Sequence, residues 1–345
     1  MNFNLARLGL CAALVALGTT SVKATPYSFT NLGSGWGLAI NNAGVAAGIS
    51  IGSGGYSDAT AAVWNRGETI FLGAAGNGMA YAINNVGQVA GRVNDVATVW
   101  TFTSNGIKAT SLGNGMASGI NDLGAVVGYS DDRRAATLWN DSVPSGLYSP
   151  YGGGGSVRAI NNSGQIAGYT DAPRVNETLA TVWNGAAVTV LGSGTASAIN
   201  NAGEVAWTAW SSDGIGFASV WNGRETITLG KGGAQGINNS GQVVGRSYDA
   251  SGMGVATLWN GTVGINLNSF LTSSEIDAGW VLDSAFGIND SGTIIGRAYN
   301  TKTGTGNAFM LSVNEMNEIP EPHGYALLLT GLCLIGLSRT RQKNA

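Results

Sequence analysis

The residue types that do most enzyme chemistry are nearly absent from this 345-residue chain. Its one histidine is His323, and its two cysteines are Cys11 and Cys333. Residues 25–319 therefore carry no imidazole and no thiol. No Ser-His-Asp set, cysteine nucleophile, disulfide or His/Cys zinc site can be assembled from them. Carboxylates and indoles remain. Asp131-Asp132, Asp277 with Asp283, and Glu275 are the acids available for paired acid–base work on a glycoside, which needs two carboxyls across a cleft. None sits in a recognisable motif, and loop acids are ordinarily solvated. The Asp131-Asp132 spacing is not that of an EF-hand calcium loop. No cofactor, no metal and no catalytic residue is expected.

Six tryptophans recur at a regular interval: Trp64, Trp100, Trp139, Trp183, Trp221 and Trp259. Regular recurrence marks packing anchors. Trp36, Trp207, Trp210 and Trp280 fall outside the series. Trp207 ends Gly203-Glu-Val-Ala-Trp207, where other repeats have a glycine. With Trp210 it makes a candidate sugar-stacking platform. Core packing is the more ordinary reading, because most tryptophans are largely buried.

Those residues must be positioned by a repeat. Ile-Asn-(Asn/Asp)-x-Gly opens at Ile40, Ile83, Ile120, Ile160, Ile199, Ile237 and Ile288, with intervals of 43, 37, 40, 39, 38 and 51 residues. Each repeat then gives Gly-x-Val-x-Gly, as in Gly87-Gln-Val-Ala-Gly91, and Ala-Thr-Leu/Val-Trp, as in Ala136-Thr-Leu-Trp139. A β-branched run ending in Leu-Gly completes it, as in Val188-Thr-Val-Leu-Gly192. Short runs of Val, Ile, Thr and Trp bounded by Gly and Asn are strands. A load of 55 glycines excludes helical repeats of this length. Asn-Asn-x-Gly reads as a tight turn, its asparagines serving the turn rather than a ligand.

Four strands per forty residues predict one propeller blade. The predicted fold is an all-β, seven-bladed β-propeller over residues 25–319. The last repeat lacks its Leu-Gly strand, and Tyr27-Ser-Phe-Thr-Asn-Leu-Gly33 supplies one at the other end. Pairing of the N- and C-terminal strands, Tyr27–Gly33 with Asn307–Val313, would close the ring. The third repeat after Gly146 and the stretch Asn266–Val281 should be irregular.

The body, residues 27 to about 313, resembles the HAF repeat family of bacterial extracellular proteins. The seven Ile-Asn turns, the Gly-x-Val-x-Gly strands and the Ala-x-x-Trp strands carry that resemblance together. It implies a secreted repeat domain and brings no catalytic residues.

The ends carry addresses. Residues 1–24 read as a signal peptide: Arg7, an apolar run Leu8–Gly18, and Val22-Lys23-Ala24, with cleavage by signal peptidase after Ala24. Residues 320–345 place Pro320-Glu321-Pro322 before an apolar run, Tyr325–Leu337, and a basic tail of Arg339, Arg341 and Lys343. At about 1.5 Å per residue that run is short for a membrane span. It would make transient inner-membrane contact as a short transmembrane helix, with the basic tail inside. The order of motif, run and tail is similar to the PEP-CTERM sorting signal of Gram-negative bacteria. That resemblance implies processing by an exosortase, and export to the cell surface or beyond, in a biofilm matrix setting. Between Thr25 and Ile319 there are 19 acidic and 12 basic residues. An acidic body without a basic stripe argues against nucleic acid. The expected function is an exported, non-enzymatic propeller that binds exopolysaccharide or a protein partner. A carbohydrate-active enzyme using loop carboxylates, and a purely structural surface protein, are the alternatives.

Overall fold

The structure is a computed structural model, and it describes residues 27–73, 76–152, 154–172 and 177–314. Residues 1–24, read above as a signal peptide, with Ala24, and Pro320, Glu321, Pro322 and the 325–337 run lie outside the described residues. Among the described residues no helix is long and apolar enough to cross a membrane.

The chain is all-β, as its strand-forming runs require. Each repeat is an antiparallel meander, for example Gly155–Ile160, Ile166–Ala172, Glu177–Asn184 and the first half of Ala187–Ile199. Hydrogen bonding groups the strands into sheets of seven, seven and ten strands, none of them closed on itself. The sheets exceed four strands because Tyr27–Ile40, Gly106–Ile120, Ala187–Ile199 and Thr226–Ile237 each serve two repeats. Such a strand ends one meander and begins the next. It turns at Leu-Gly-x-Gly, where both glycines take positive φ: 95° and 140° at Gly33 and Gly35, 140° and 147° at Gly192 and Gly194. A Cβ at Gly35 would stand 1.9 Å from the Ile49 carbonyl oxygen, so the corner admits only glycine.

The N-terminal half of Tyr27–Ile40 pairs antiparallel with Thr305–Val313, Tyr27 opposite Val313 and Asn31 opposite Phe309. Tyr27 lies 4.7 Å from Phe270, and Phe29 lies 5.6 Å from Trp280, ring to ring. The long join before the last repeat holds a 3-10 turn, Leu267–Phe270, and a short helix, Ser273–Asp277, begun by a Thr272/Glu275 capping box.

Packing follows the tryptophan series. Trp64, Trp100, Trp139, Trp183 and Trp259 are buried, each in its own small cluster of Ala and branched aliphatic side chains, and Phe309 takes the place in the last repeat. The fifth repeat departs from this. Trp207 occupies the core there, and the series residue Trp221 is left half-buried.

Candidate functional site

Two sets of residues converge from all repeats, and both are placed by the innermost strand of each meander. The first is the Ile-Asn-(Asn/Asp) turn. Asn41, Asn84, Asn121, Asn161, Asn200, Asn238 and Asn289 are 3–5 % exposed. The side-chain oxygen of each caps its own turn; that of Asn161, for instance, accepts from the backbone N–H of Ser163 and Gln165. The turn reading from sequence is thus right but incomplete. Each amide also donates to the backbone carbonyl of the corresponding asparagine in the next repeat. The distances are 3.1 Å from Asn41 to Asn84, 2.9 Å to Asn121, 3.1 Å to Asn161 and 3.0 Å to Asn200. They continue at 3.1 Å to Asn238 and 3.0 Å to Asn289, and Asn289 donates back to Asn41 at 3.0 Å.

A second relay runs beside it through the next residue of each turn. The backbone N–H of Asn42 donates to the Asn85 side chain, and the series continues through Asp122, Asn162, Asn201, Asn239 and Asp290 back to Asn42. The two aspartates accept twice more. Asp122 takes the amides of Asn85 and Asn162, and Asp290 those of Asn42 and Asn239. Burial works to raise the Asp122 carboxyl. Donation from the Asn85 backbone, the Asn162 amide and the Asn85 amide outweighs it and holds the group below the usual carboxylate range. The same balance, through Asn239 and Asn42, lowers Asp290. These turns enclose a polar cavity of about 160 Å³.

The second set lies two to four residues earlier on the same strands, about 7–13 Å along them. Every inner strand carries a bulge, between Gly37 and Ala39, Ala80 and Ala82, Ala117 and Gly119, Val157 and Ala159, Ala196 and Ala198, Ala234 and Gly236, and Ala285 and Gly287. A bulged residue is unpaired, and its side chain is re-aimed. Here the seven are Leu38, Tyr81, Ser118, Arg158, Ser197, Gln235 and Phe286, and all seven line one cavity of about 480 Å³. Their neighbours are small because adjacent strands approach closely: a Cβ at Gly236 would meet the Phe286 carbonyl oxygen at 2.8 Å.

The cavity has two sides. Phe286, Trp36, Leu38, Met79, Tyr81 and Met116 are apolar or aromatic and come from repeats seven, one, two and three. Ser118, Ser156, Arg158, Ser197 and Gln235, from repeats three to six, make the polar side. The Arg297 guanidinium lies 5.6 Å from the Trp36 ring centre and bonds Asp283 at 2.9 Å, which fixes the indole from outside. Tyr81 donates to the Met79 sulfur at 2.9 Å. Burial pushes the Tyr81 hydroxyl up against the pull of Arg92 and Arg158, with Asp95 adding to the rise, so it stays a donor. A cleft of about 350 Å³ shares Met116, Ser156 and Tyr169 with this cavity and adds Arg92, Asp95, Asp131 and Asp171.

The residues singled out from sequence lie elsewhere. Trp207 is 4 % exposed and Trp210 is 45 % exposed. They stand three residues apart on one strand, Val205–Trp210, so they point to opposite faces and cannot form one platform. Asp283 is paired with Arg297, Glu275 caps a helix, and Asp132 accepts from Asn114 at 3.1 Å. Of those acids only Asp131 faces the cleft. The bulge residues were missed. Their signal is variation among the repeats of one chain: the position two before Ile-Asn reads Leu, Tyr, Ser, Arg, Ser, Gln and Phe, while the position after it is always Ala or Gly.

No family model matches this chain, and no curated protein matches it. Solved structures do. The β-propeller domain of the Trilobed protease from Pyrococcus furiosus, described as having an open velcro topology, aligns at TM-score 0.53 and 11 % identity, covering 86 % of this chain and 98 % of that one. Two structures of the acylaminoacyl peptidase of Pyrococcus horikoshii align at TM-scores 0.53 and 0.50, with 14 % and 12 % identity over 80 % and 84 % of this chain. The chain spans about half the length of those peptidases, 50 % and 52 %. At this identity the likeness shows the fold, a β-propeller. It also corrects the functional expectation. These aligned structures are the propeller domain of a protease and a peptidase, which overturns the expectation of a non-enzymatic surface propeller that binds exopolysaccharide or a protein partner.

Proposed function

We propose that this chain is a seven-bladed β-propeller of the peptidase type, whose axial cavity takes in an extended peptide segment. The observation that carries the reading is the convergence of seven bulged side chains of different chemistry on one cavity, within an otherwise repeated framework. The apolar arc of Trp36, Leu38, Tyr81 and Phe286 would receive a hydrophobic side chain, and Ser156, Arg158, Ser197 and Gln235 would hydrogen-bond its backbone. No Ser-His-Asp set can be drawn from residues 25–319, so hydrolysis of such a peptide would fall to groups on another domain or chain.

The closed, seven-bladed ring belongs to the same proposal. The asparagine relay that returns to Asn41 and the pairing of Tyr27–Asn31 with Phe309–Val313 support it. Membership of the HAF repeat family, export behind a signal peptide cut after Ala24, and exosortase processing near Pro320-Glu321-Pro322 are further proposals that rest on the sequence motifs alone.

The test is calorimetric titration with unstructured peptides bearing a central Leu or Phe, against the same peptides with Ser there. Saturable binding that falls at least about tenfold in Trp36→Ala and Phe286→Ser supports the reading, since each buried apolar contact contributes on the order of 1.5–3 kcal/mol. Binding indifferent to both changes, or retention of polysaccharide in place of peptide, would contradict it.

A further inference from the structure

The axial cavity holds a single formal charge. Among the described residues that line it, Arg158 is the only ionised side chain; the rest are aromatic, aliphatic, Met, Ser or Gln. Arg158 is exposed to that space, and no described acid lies within ion-pair distance of it. The neighbouring arginines have partners: Arg92 pairs with Asp95 at 3.6 Å, and Arg297 bonds Asp283 at 2.9 Å. Asp95, Asp131 and Asp171 line the adjoining cleft and not this cavity.

A bulge brings Arg158 to the cavity. The register slips between Val157 and Ala159, so Arg158 is left out of the ladder to Ile166–Ala172 and its side chain is re-aimed. Its equivalents are Leu38, Tyr81, Ser118, Ser197, Gln235 and Phe286, and none of them adds a second charge. Burial raises the Tyr81 hydroxyl, and Arg158 is one of the two cations that pull it back, so the guanidinium lies within reach of the aromatic side.

A guanidinium presents five N–H donors in a planar fork that fits both oxygens of a carboxylate. One unpaired positive charge is matched by one negative charge, and a phosphate dianion would be only half neutralised. Peptides carry carboxylates on acidic side chains and at the carboxyl terminus. The terminal residue alone bears a carboxylate and a separate side chain on the same Cα, so one residue can serve both the polar and the apolar side of this cavity. A terminus also needs room for chain on one side only. The same seven strands enclose about 480 Å³ at the bulges and about 160 Å³ at the asparagine turns beyond them.

We propose that the axial cavity receives the carboxyl terminus of a peptide. The terminal carboxylate pairs with Arg158, and an apolar last side chain lies among Trp36, Leu38, Tyr81 and Phe286. This rests on the peptide reading above and narrows it from any extended segment to the end of a chain.

Calorimetric titration of the full chain with four N-acetylated pentapeptides decides it. One ends in leucine with a free carboxylate, and the second is its carboxamide. The third has a central leucine and an amide end, and the fourth adds glutamate beside that central leucine. The acid should bind at least about tenfold tighter than the other three, the worth of one charge-assisted fork. R158M should bring the acid down to the affinity of its amide and leave the amide's own binding unchanged, which shows that the variant site is folded. R158K keeps the charge without the fork and should restore part of the difference. Equal binding of all four to wild type overturns the proposal and leaves the peptide reading standing. An acid preference that R158M does not reduce, or a glutamate peptide that binds as tightly as the acid, does the same. Binding of none of the four removes both.

Discussion

Replacing Asn161 tests whether the asparagine relay holds the repeats together. Its side chain accepts from Ser163 and Gln165 at 3.1 and 2.9 Å and donates to the Asn200 carbonyl at 3.0 Å and to Gln165 at 2.8 Å. Asn161→Ala removes all four bonds. The Asn200 carbonyl keeps one partner, the Gly203 N–H, whereas the two turn N–H groups lose theirs in a half-buried place. At about 1 kcal/mol net per bond, and more where a donor is stranded, the loss should be about 2–4 kcal/mol. Urea unfolding with an unchanged slope measures it, with the exposed hairpin residue Asn184→Ala as control, expected within about 0.5 kcal/mol. Asn161→Asp sharpens the test. It keeps the acceptor oxygen but sets a carboxylate oxygen against the Asn200 carbonyl and the Gln165 side-chain oxygen. That raises its folded pKa above the unfolded value near 3.9, so the deficit against wild type is full at neutral pH and shrinks as pH falls towards about 4. If Asn161→Ala costs no more than Asn184→Ala, the relay does not hold the repeats together.

The same packing and hydrogen bonds predict three further outcomes. Asp122 and Asp290 are held below the usual carboxylate range, so their stabilisation is present above the unfolded value near 3.9 and is lost as pH falls through their lower folded values. The double Asn variant should show a flatter acid limb below about pH 4 in equilibrium unfolding, and an identical limb would remove them as contributors. Trp207→Ala should cost about 3–5 kcal/mol as a core truncation, and Trp210→Ala should stay within about 0.5 kcal/mol. Equal effects in paired thermal melts would contradict their placement on opposite faces. Starting the chain at Gly35 removes the ladder to Phe309–Val313 and the Tyr27–Phe270 contact. At about 1 kcal/mol per lost hydrogen bond the melting temperature should drop by several degrees, and an unchanged value would speak against closure.

Much of the framework was legible because it depends on local chemistry. Asn-Asn-x-Gly specifies a turn in any context, and Ala-Thr-Val-Trp reads as a buried strand wherever it occurs. The split last repeat pointed to the pairing of Tyr27 with Val313. The site was not legible, because it depends on directions that arise only when the repeats are assembled. Whether Tyr81 or Arg158 faces the cavity is decided by a bulge in each inner strand, and the sequence marks it only by variation at that position from repeat to repeat beside a constant Ala or Gly. Trp207 misled because its position calls for glycine. The structure resolves this by an exchange: Trp207 fills the core of the fifth repeat, and Trp221 moves outward. The asparagine side chains showed their acceptor half in the turn pattern. Their donor half reaches a carbonyl about forty residues away, and only the fold brings that within 3 Å.

The central claim, that a peptide enters the axial cavity among the bulged side chains, is tested most directly by photo-crosslinking from Leu38. A diazirine leucine analogue at position 38 should capture a Leu-bearing peptide, and excess unlabelled peptide should suppress the adduct. The same probe at Val263, exposed on an outer strand, should capture none. Capture at both positions without competition, or none from position 38, would contradict the account.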